Sequence, residues 1–293
     1  MKATILYHAN CLDGAMAALM MQRHLPMRVG GVHYSTMFFE AVAYDEAPPL
    51  TLCAGTDVYV VDFSYDLAAT LDILRVANSM VVLDHHKTAI ERFELAKERC
   101  VIPADVEDKL DLIFDTTKSG ARLAFEYCNP NTKAPWYVAH VEDRDLWKFA
   151  LPNTKAICAS LFQHLRPNAL TALNQAVDKG RQFHAIAGEV LQAETVTMVK
   201  RVVDTMHMGH VAGFDVPCAN AMFVMSEAGH ELAKDHPFSM IYYRTPEGFK
   251  VSLRSSNTQE DVAAIAQLFG GGGHRNAAGF NCSVEQMAGF FED

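Results

Sequence analysis

The sequence predicts an α/β fold, with a parallel-sheet N-terminal domain, a helical connector and a smaller α/β C-terminal domain. Two observations predict it. Short apolar runs alternate with helical stretches in the first part of the chain, and the alternation resumes beyond Met206. Strand–helix–strand alternation is typical of a mostly parallel sheet that carries helices on both faces. We expect the boundaries at 1–165, 166–206 and 207–293.

The individual elements follow from the length and period of the apolar runs. In the first domain the predicted strands are Ala3–His8, Met27–Tyr34, Asp57–Phe63 and Met80–Asp84. The predicted helices there are Gly14–His24, Asp66–Ala77, Ala89–Arg99, Ser119–Tyr127 and Ala134–Asp145. The connector reads as helical from Leu170 to Val203, although Gly180 and Gly188 weaken the case for one unbroken helix. The second domain has predicted strands at Ala219–Val224, Ser239–Tyr243 and Phe249–Leu253 and a helix at Asp261–Leu268.

Composition narrows the class of protein. The 35 acidic and 25 basic residues give a net charge of −10, which argues against a broad basic face for long nucleic acid. That balance still allows a short anionic substrate held by a few cations. The seven cysteines form no Cys-x-x-Cys pair, so neither a disulfide framework nor a structural zinc site is supported. Because no long apolar segment follows Met1, we expect a cytoplasmic protein without a membrane span.

Three polar clusters lie at the carboxyl ends of predicted strands. They are the segment from His8 to Gly14, the single residue Asp62, and the triplet Asp84-His85-His86. In open parallel sheets ligands collect beyond the strand carboxyl ends, so these clusters can converge in space. A mixture of histidines and carboxylates fits Mn²⁺ or a similar first-row cation better than Ca²⁺.

Ordinary structural roles compete with this interpretation. Asp62 could cap the helix that begins near Asp66, and Asp13 with Gly14 could form a turn before a helix. His8 alone is more often a hydrogen-bonded residue at a strand end. The segment 140–145 is most simply a solvated charged turn. The coincidence of three such clusters in one sheet favours a metal site.

A second set of residues near the C-terminus indicates phosphate binding. Four consecutive glycines, Gly270 to Gly273, precede His274 and lie between Leu268-Phe269 and Ala277-Ala278. Glycines let backbone N–H groups approach an anion closely, and Arg254 and His274 can donate charge-assisted hydrogen bonds. We therefore predict a phosphate-holding loop.

Taken together, these motifs resemble the DHH phosphoesterase superfamily, in the branch with the DHH-associated C-terminal domain. This branch includes the RecJ exonucleases, the nanoRNases and the dinucleotide phosphodiesterases. The resemblance covers nearly the whole chain, in the order His8–Gly14, Asp62, Asp84-His85-His86, Ser119–Phe125, Asp143 and Gly272–His274 with Ala277–Gly279. Each motif is short, but their occurrence together in this order argues against a chance match. A catalytic cleft between the two domains is what the resemblance implies.

The resemblance also implies a role for each residue. Asp62 would bridge two Mn²⁺ ions, with His8 completing one metal site and Asp13, His85 and Asp143 the other. Glu142 and Asp145 remain alternatives to Asp143. The catalytic residues would be Asp62, Asp84, His85 and His86, with Asp84 and His86 orienting His85 and contacting the scissile phosphate. Substrate contacts would come from Asn10, Arg254, Gly271, Gly272, Gly273 and His274.

The first motif departs from the family pattern. Relatives usually carry two carboxylates there, whereas here Asn10, Leu12 and Ala15 surround the single Asp13. Asn10 is a neutral and weaker ligand, so the number of bound ions, one or two, stays open.

These observations predict a Mn²⁺-dependent phosphodiesterase or exonuclease, with Mg²⁺ or Co²⁺ as substitutes, that hydrolyses short oligonucleotides or dinucleotides to nucleoside monophosphates. One alternative is a phosphomonoesterase or exopolyphosphatase that uses the same metal centre. Another is a catalytically weakened nucleotide-binding sensor, which Asn10 motivates. We expect neither membrane association nor long-duplex DNA binding. Several relatives associate as dimers, so a homodimer is compatible with the resemblance.

Overall fold

The computed structural model of the protein describes residues 1–27, 33–43, 46–99, 102–165, 169–256 and 258–291. The chain forms two compact units, Met1–Gln192 and Ala193–Asp293. Each unit combines a β-sheet with α-helices, which confirms the predicted fold class. Within the described ranges, none of the helices is long and apolar enough to cross a membrane.

The first unit is built on one parallel sheet. Its strands are β1 (Lys2–His8), β2 (Thr36–Val42), β3 (Asp57–Val61), β4 (Ser79–Asp84) and β5 (Leu110–Phe114). Its helices are α1 (Leu12–His24), α2 (Leu50–Cys53), α3 (Leu67–Val76), α4 (Lys87–Glu98), α5 (Ala104–Glu107), α6 (Gly120–Cys128), α7 (Trp136–Asp145), α8 (Thr154–Phe162) and α9 (Ala169–Val177). Helix α10 (Arg181–Val203) begins in this unit and ends in the second.

The strand order places three strand ends side by side. The order is β2-β1-β3-β4-β5, and all neighbours run parallel. The chain reverses its direction of sheet growth at β1 and β3, the switch point where ligands bind in open α/β sheets. Every residue of β3 is buried, because helices cover both faces of the sheet. Alternate strand residues enter two apolar cores: Val61 lies in one with helices α1 and α6, and Val60 in the other with α3.

Several sequence-based elements need correction. Most of the strand predicted at Met27–Tyr34 lies outside the described residues, and the second strand is found further along, at Thr36–Val42. The region after His86 is not purely helical, because Leu110–Phe114 adds an edge strand to the sheet. Four apolar residues and one aspartate in a five-residue segment fit a strand or a buried helical turn equally well, so the period of the segment could not reveal the strand.

The second unit contains a six-stranded mixed sheet. Its strands are β6 (His207–Val211), β7 (Phe214–Asn220), β8 (Ser239–Arg244), β9 (Phe249–Arg254), β10 (Gly272–His274) and β11 (Ala277–Cys282), in the order β10-β11-β9-β8-β7-β6. Strands β7 and β8 are parallel and the other neighbours antiparallel. The helices are α11 (Met225–Leu232), α12 (Val262–Gln267) and α13 (Val284–Gly289).

The connector is two helices rather than one. Gly180 ends the α9 segment with φ of +87°, a conformation that favours glycine, and α10 starts at the next residue. Gly188 has a different role within α10. A Cβ placed on it would overlap the backbone of Ala156 in α8, whose Cα would lie 2.8 Å away. The glycine therefore lets the two helix backbones approach closely.

We expect Gly188→Ala to lower the unfolding free energy by about 1–3 kcal/mol, the usual cost of overpacking a closely packed site. Gly289→Ala is the matched control, because Gly289 is also helical but exposed, and no heavy atom lies within 4 Å of its added Cβ. Urea denaturation of both variants measures the difference. A loss confined to Gly289→Ala would contradict the close approach of α8 and α10.

Candidate metal centre

The polar clusters predicted at three strand ends converge. His8 ends β1, Asp62 follows β3 directly, and Asp84 ends β4, and these three strands are adjacent in the sheet. Asp62, Asp84 and His85 are each no more than 1% exposed, although all three are polar. Burying so many ionisable groups is costly unless they are paired or bind a cation.

Asp62 is the centre of the cluster. Its Oδ1 lies 3.1 Å from Nε2 of His85, and its Oδ2 lies 3.7 Å from Nδ1 of His8. The backbone of Asp62 has φ of +55°, a left-handed conformation that is rare outside glycine and common at functional sites. The capping alternative is wrong, since the carboxylate of Asp66 itself accepts the hydrogen bond from the backbone N–H of Ala69.

Two glycines allow this packing. An added Cβ on Gly120 would lie 2.7 Å from Oδ1 and 2.8 Å from Cα of Asp62. An added Cβ on Gly14 would lie 2.8 Å from Cβ of His8. Both glycines stand in the first turn of a helix, α6 and α1, so these helices can press against the two side chains.

Asp13 joins the cluster from the first turn of α1, and it is not a turn residue outside the helix. Its carboxylate accepts hydrogen bonds from the backbone N–H groups of Gly120 (2.5 Å) and Ala121 (3.1 Å), at the N-terminus of α6. The positive end of a helix dipole stabilises an anion at this position. Asp13 Oδ2 also lies 3.8 Å from Nε2 of His85, so the carboxylate faces the cluster as well as the helix.

Asp84 positions the two histidines that follow it. Its Oδ1 accepts the backbone N–H of His85 (2.7 Å) and lies 2.7 Å from Nδ1 of His86. Its Oδ2 accepts the hydroxyl of Ser64 at 2.5 Å. Asp84 is thereby engaged in hydrogen bonds that orient the imidazole of His86.

The fourth carboxylate of the cluster is Asp145, not the predicted Asp143. Oδ2 of Asp145 lies 3.6 Å from Nε2 of His85, and Asp145, Asp13 and His85 together offer donor atoms within 4.8 Å of one another. Asp143 faces the loop after α7 instead. Its carboxylate accepts the backbone N–H groups of Ala150 (2.8 Å) and Leu151 (3.0 Å) and the hydroxyl of Thr154 (2.6 Å).

The segment 140–145 is therefore not a solvated charged turn. His140 and Asp143 are 2% and 5% exposed, respectively. The loop that Asp143 supports contains Trp147, Phe149 and Asn153, all with positive φ, so its backbone depends on an internal acceptor. Asp143 stabilises the loop through these hydrogen bonds, whereas Asp145, the last residue of α7, lies in the cluster.

Sequence reasoning also missed Cys11. His8, Cys11 and Asp62 offer ligand atoms that all lie within 4.8 Å of one another. Asn10, which was expected to contact metal or substrate, is exposed in a turn with φ of +55°. The position of Cys11 inside the first motif was the available signal, and a search for paired cysteines does not detect it.

The electrostatics of the cluster are dominated by burial and by carboxylate repulsion. Burial, together with the charges of Asp62 and Asp145, raises the pKa of Asp13 well above its usual range. Burial and Asp62 likewise raise the pKa of Asp145. Burial acts to lower the pKa of His85, but the hydrogen bond to Asp62 and the nearby carboxylates raise it to about 10. Without a cation, protons bound to these side chains therefore balance part of the negative charge of the carboxylates.

Asp62 and Asp84 behave differently because histidines face them. Burial alone would raise both pKa values, yet His8 and His85 hold the pKa of Asp62 well below its usual range. His86 does the same for Asp84 to a smaller extent, and the pKa of His86 is raised in return.

The donor set fits a divalent cation. Among the residues that the structure describes, no hydrogen-bond donor serves Oδ2 of Asp62 or Oδ2 of Asp145, although both atoms are buried. Buried carboxylate oxygens that accept no hydrogen bond and lie beside imidazole nitrogens are suited to binding first-row divalent metals. The set divides into His8, Cys11 and Asp62 on one side and Asp13, His85 and Asp145 on the other.

The residues predicted to hold phosphate lie in the second unit. Arg254 ends β9, and its guanidinium donates to the hydroxyl of Ser226 (2.9 Å) and to the carbonyl of Leu253 (2.8 Å). Gly272 to His274 form strand β10 against β11, so this part is not an irregular loop. Added Cβ atoms on Gly271 and Gly273 would meet the backbone of β11, which gives these glycines a packing role too.

A viral protein is similar in sequence to most of this chain. An uncharacterized protein of Acanthamoeba polyphaga mimivirus is 29% identical over 297 residues, covering 94% of this chain and 66% of that protein, just under two-thirds of its length. No family model matches the chain.

Three solved structures resemble almost the whole chain. They are an exopolyphosphatase-related protein from Bacteroides fragilis (15% identity, TM-score 0.55, 99% of this chain and 90% of that one), RecJ in complex with Mn²⁺ from Thermus thermophilus (12%, 0.54, 99% and 51%) and exonuclease RecJ bound to manganese (13%, 0.51, 99% and 88%). At sequence identities this low, the structural similarity shows the fold alone. The chain therefore has the fold of these proteins, as its motifs led us to expect.

The two aspartates of α7 are expected to differ in their effect on stability. Asp143→Ala should lower the unfolding free energy by about 2–4 kcal/mol, because two backbone N–H groups and one hydroxyl lose their acceptor. Asp145→Asn should leave it unchanged or raise it, because one negative charge leaves a cluster of like charges. Urea denaturation in buffer with EDTA measures both variants. Equal losses would contradict the division of roles between them.

The metal-free protein is expected to lose stability as the pH rises from about 6.5 to 10. The folded-state pKa of His85, about 10, lies above its ordinary value, so its contribution is complete below the unfolded pKa of about 6.5 and is lost towards pH 10. The raised pKa values of Asp13 and Asp145 have the same sign, but the stability that they contribute begins to be lost at lower pH, above the ordinary carboxyl pKa of about 3.9. One proton changes the free energy by at most about 1.4 kcal/mol per pH unit. Urea midpoints between pH 6 and 10 test this: the profile should flatten in His85→Gln, and a flat wild-type profile would refute the coupling.

Proposed function

We propose that this chain is a metal-dependent phosphodiesterase that hydrolyses short oligonucleotides or dinucleotides to nucleoside monophosphates. The observation that carries the proposal is the orientation of Asp62. One carboxylate oxygen faces His85 and the other faces His8, so a single buried carboxylate serves two neighbouring donor sets. A shared carboxylate between two cation sites is the arrangement that two-metal phosphoester hydrolysis uses.

Each donor set has an assignment. We assign His8 and Asp62 to one cation and Asp13, Asp62, His85 and Asp145 to the other, with Mn²⁺ as the expected ion and Mg²⁺ or Co²⁺ as substitutes. A divalent cation in these sites supplies Lewis-acid stabilisation of the phosphate and activation of a water molecule. His85 must be neutral to bind a cation, so binding at neutral pH is expected to release a proton.

The remaining residues position and neutralise the substrate. Asp84 holds Nδ1 of His86, which fixes the ring and leaves Nε2 as the nitrogen that addresses a phosphate oxygen. The raised pKa of His86, due to Asp84, favours the charged imidazolium, a stronger donor to an anion. The left-handed backbone of Asp62 and the helix start at Gly120 keep the carboxylate in one orientation.

We assign the second unit to substrate binding. Arg254 is pre-positioned by Ser226 and can donate to phosphate. Gly272 to His274 form strand β10 beside β11, and Gly271 immediately precedes that strand. The net charge of −10 supports short substrates, because long single strands require an extended cationic track.

Turnover of a 5′-labelled dinucleotide with Mn²⁺ tests the proposal. We expect nucleoside monophosphates as products. Asp62→Asn and His85→Gln should each lower turnover by at least about 10³-fold, because removing one member of a catalytic unit costs nearly as much as removing the whole unit. Asp145→Asn should lose activity comparably, and because we expect its stability to be unchanged or raised, it is the most informative variant. Lys250→Ala, a change on the exposed side of β9, is the control that should retain activity.

The same assay separates the alternatives. Release of terminal phosphate alone, or cleavage of polyphosphate alone, would replace the phosphodiesterase proposal with a phosphomonoesterase or exopolyphosphatase. Tight nucleotide binding without turnover under any divalent metal would indicate a sensor.

A further inference from the structure

We propose that Cys11 is a ligand of the cation held by His8 and Asp62, so that this half of the centre prefers a thiolate-binding divalent ion such as Zn²⁺, Co²⁺ or Fe²⁺ over Mg²⁺. The inference rests on the metal centre of the proposed function. It adds a ligand and the chemical class of one of its ions.

The geometry places the thiol beside the donors that we assign to this cation. Cys11 stands immediately before α1, in the short segment between His8 and Asp13. Its Sγ, one ring nitrogen of His8 and one carboxylate oxygen of Asp62 lie within 4.8 Å of one another. Metal–sulfur and metal–nitrogen bonds of about 2.3 and 2.0 Å join donors up to about 4.3 Å apart. The three groups therefore need only a small inward movement to bind one ion.

A second observation also points to a cation at this position. Oδ2 of Asp62 is buried and accepts no hydrogen bond from any residue that the structure describes. This oxygen faces His8, whose Nδ1 lies 3.7 Å away. A buried carboxylate oxygen without a donor needs a cation or a water molecule.

Cys11 also differs from the other cysteines. Of the six cysteines in the described part of the chain, five are buried, and Cys11 alone is partly exposed. Buried thiols such as Cys53, which lies in the core beneath β1, behave as small apolar side chains. Cys11 instead lies beside an imidazole and a carboxylate, where packing gives no reason for sulfur.

The chemistry of the two halves then differs. Imidazole, thiolate and carboxylate together suit Zn²⁺, Co²⁺ or Fe²⁺, whereas Mg²⁺ requires octahedral oxygen ligands. The other half, with three carboxylates and His85, has no sulfur and suits Mn²⁺. The centre is thus asymmetric, and the sulfur compensates for the carboxylate that the first motif lacks.

Cobalt titration of the metal-free protein tests the proposal without reference to activity. A thiolate bound to Co²⁺ gives a ligand-to-metal charge-transfer band in the near ultraviolet, which carboxylate and imidazole ligands do not give. We expect the band in the wild-type protein and in Cys53→Ala, and its loss in Cys11→Ser. The wild-type spectrum decides the question even if Cys11→Ser fails to fold, since absence of the band overturns the proposal.

The outcomes also distinguish this proposal from the broader one. Cobalt binding by calorimetry without a charge-transfer band would refute the sulfur ligand and leave the metal centre intact. No cobalt binding at all would refute both. In Cys11→Asp, we expect the ratio of Mn²⁺ affinity to Zn²⁺ affinity to rise at least about tenfold, and an unchanged ratio would count against the ligand assignment.

Discussion

The structure of the first unit depends on how Asp62 is held. The strand before it is fully buried, its backbone turns into a left-handed conformation, and Gly120 at the start of α6 packs directly on its side chain. A residue in a sparsely populated conformation persists only where its surroundings over-determine it. Here a strand, a glycine and two histidines do so. The position of one carboxylate therefore links the sheet, the helix that covers it and the imidazoles at its edge.

Most of the fold, and the convergence of polar residues at three neighbouring strand ends, could be predicted from the sequence. Alternating apolar runs and helical periods place β1, β3 and β4 within a few residues, because these strands are buried on both faces and read as continuous apolar runs. Strand β5 was missed because a segment of only five residues, four of them apolar, has no decisive period. Strands β10 and β11 were missed for another reason. Their glycines suggested a loop, whereas backbone contacts between the two strands are what require residues without a side chain.

The partition of roles within motifs could not be read from sequence. Asp143 and Asp145 are two residues apart at the end of one helix, and helix geometry points such residues in different directions. Which of them faces His85 depends on the loop that follows, where three residues have positive φ and Asp143 is the internal acceptor. Cys11 was overlooked because a single cysteine carries no spacing signal. Its meaning arises only when the strand ends bring His8 and Asp62 beside it.

The crowding of buried carboxylates around His85 has a consequence for the stability of the protein in a cell. Without the proposed cation, Asp13 and Asp145 stay beside Asp62, and any proton that they lose adds repulsion that favours opening of the chain around the strand ends. Cellular proteases act on opened states, so small changes in stability alter abundance several-fold. Metal supply would then control the amount of this protein as well as its occupancy. Chains made during metal starvation would be removed by turnover rather than stored for later use.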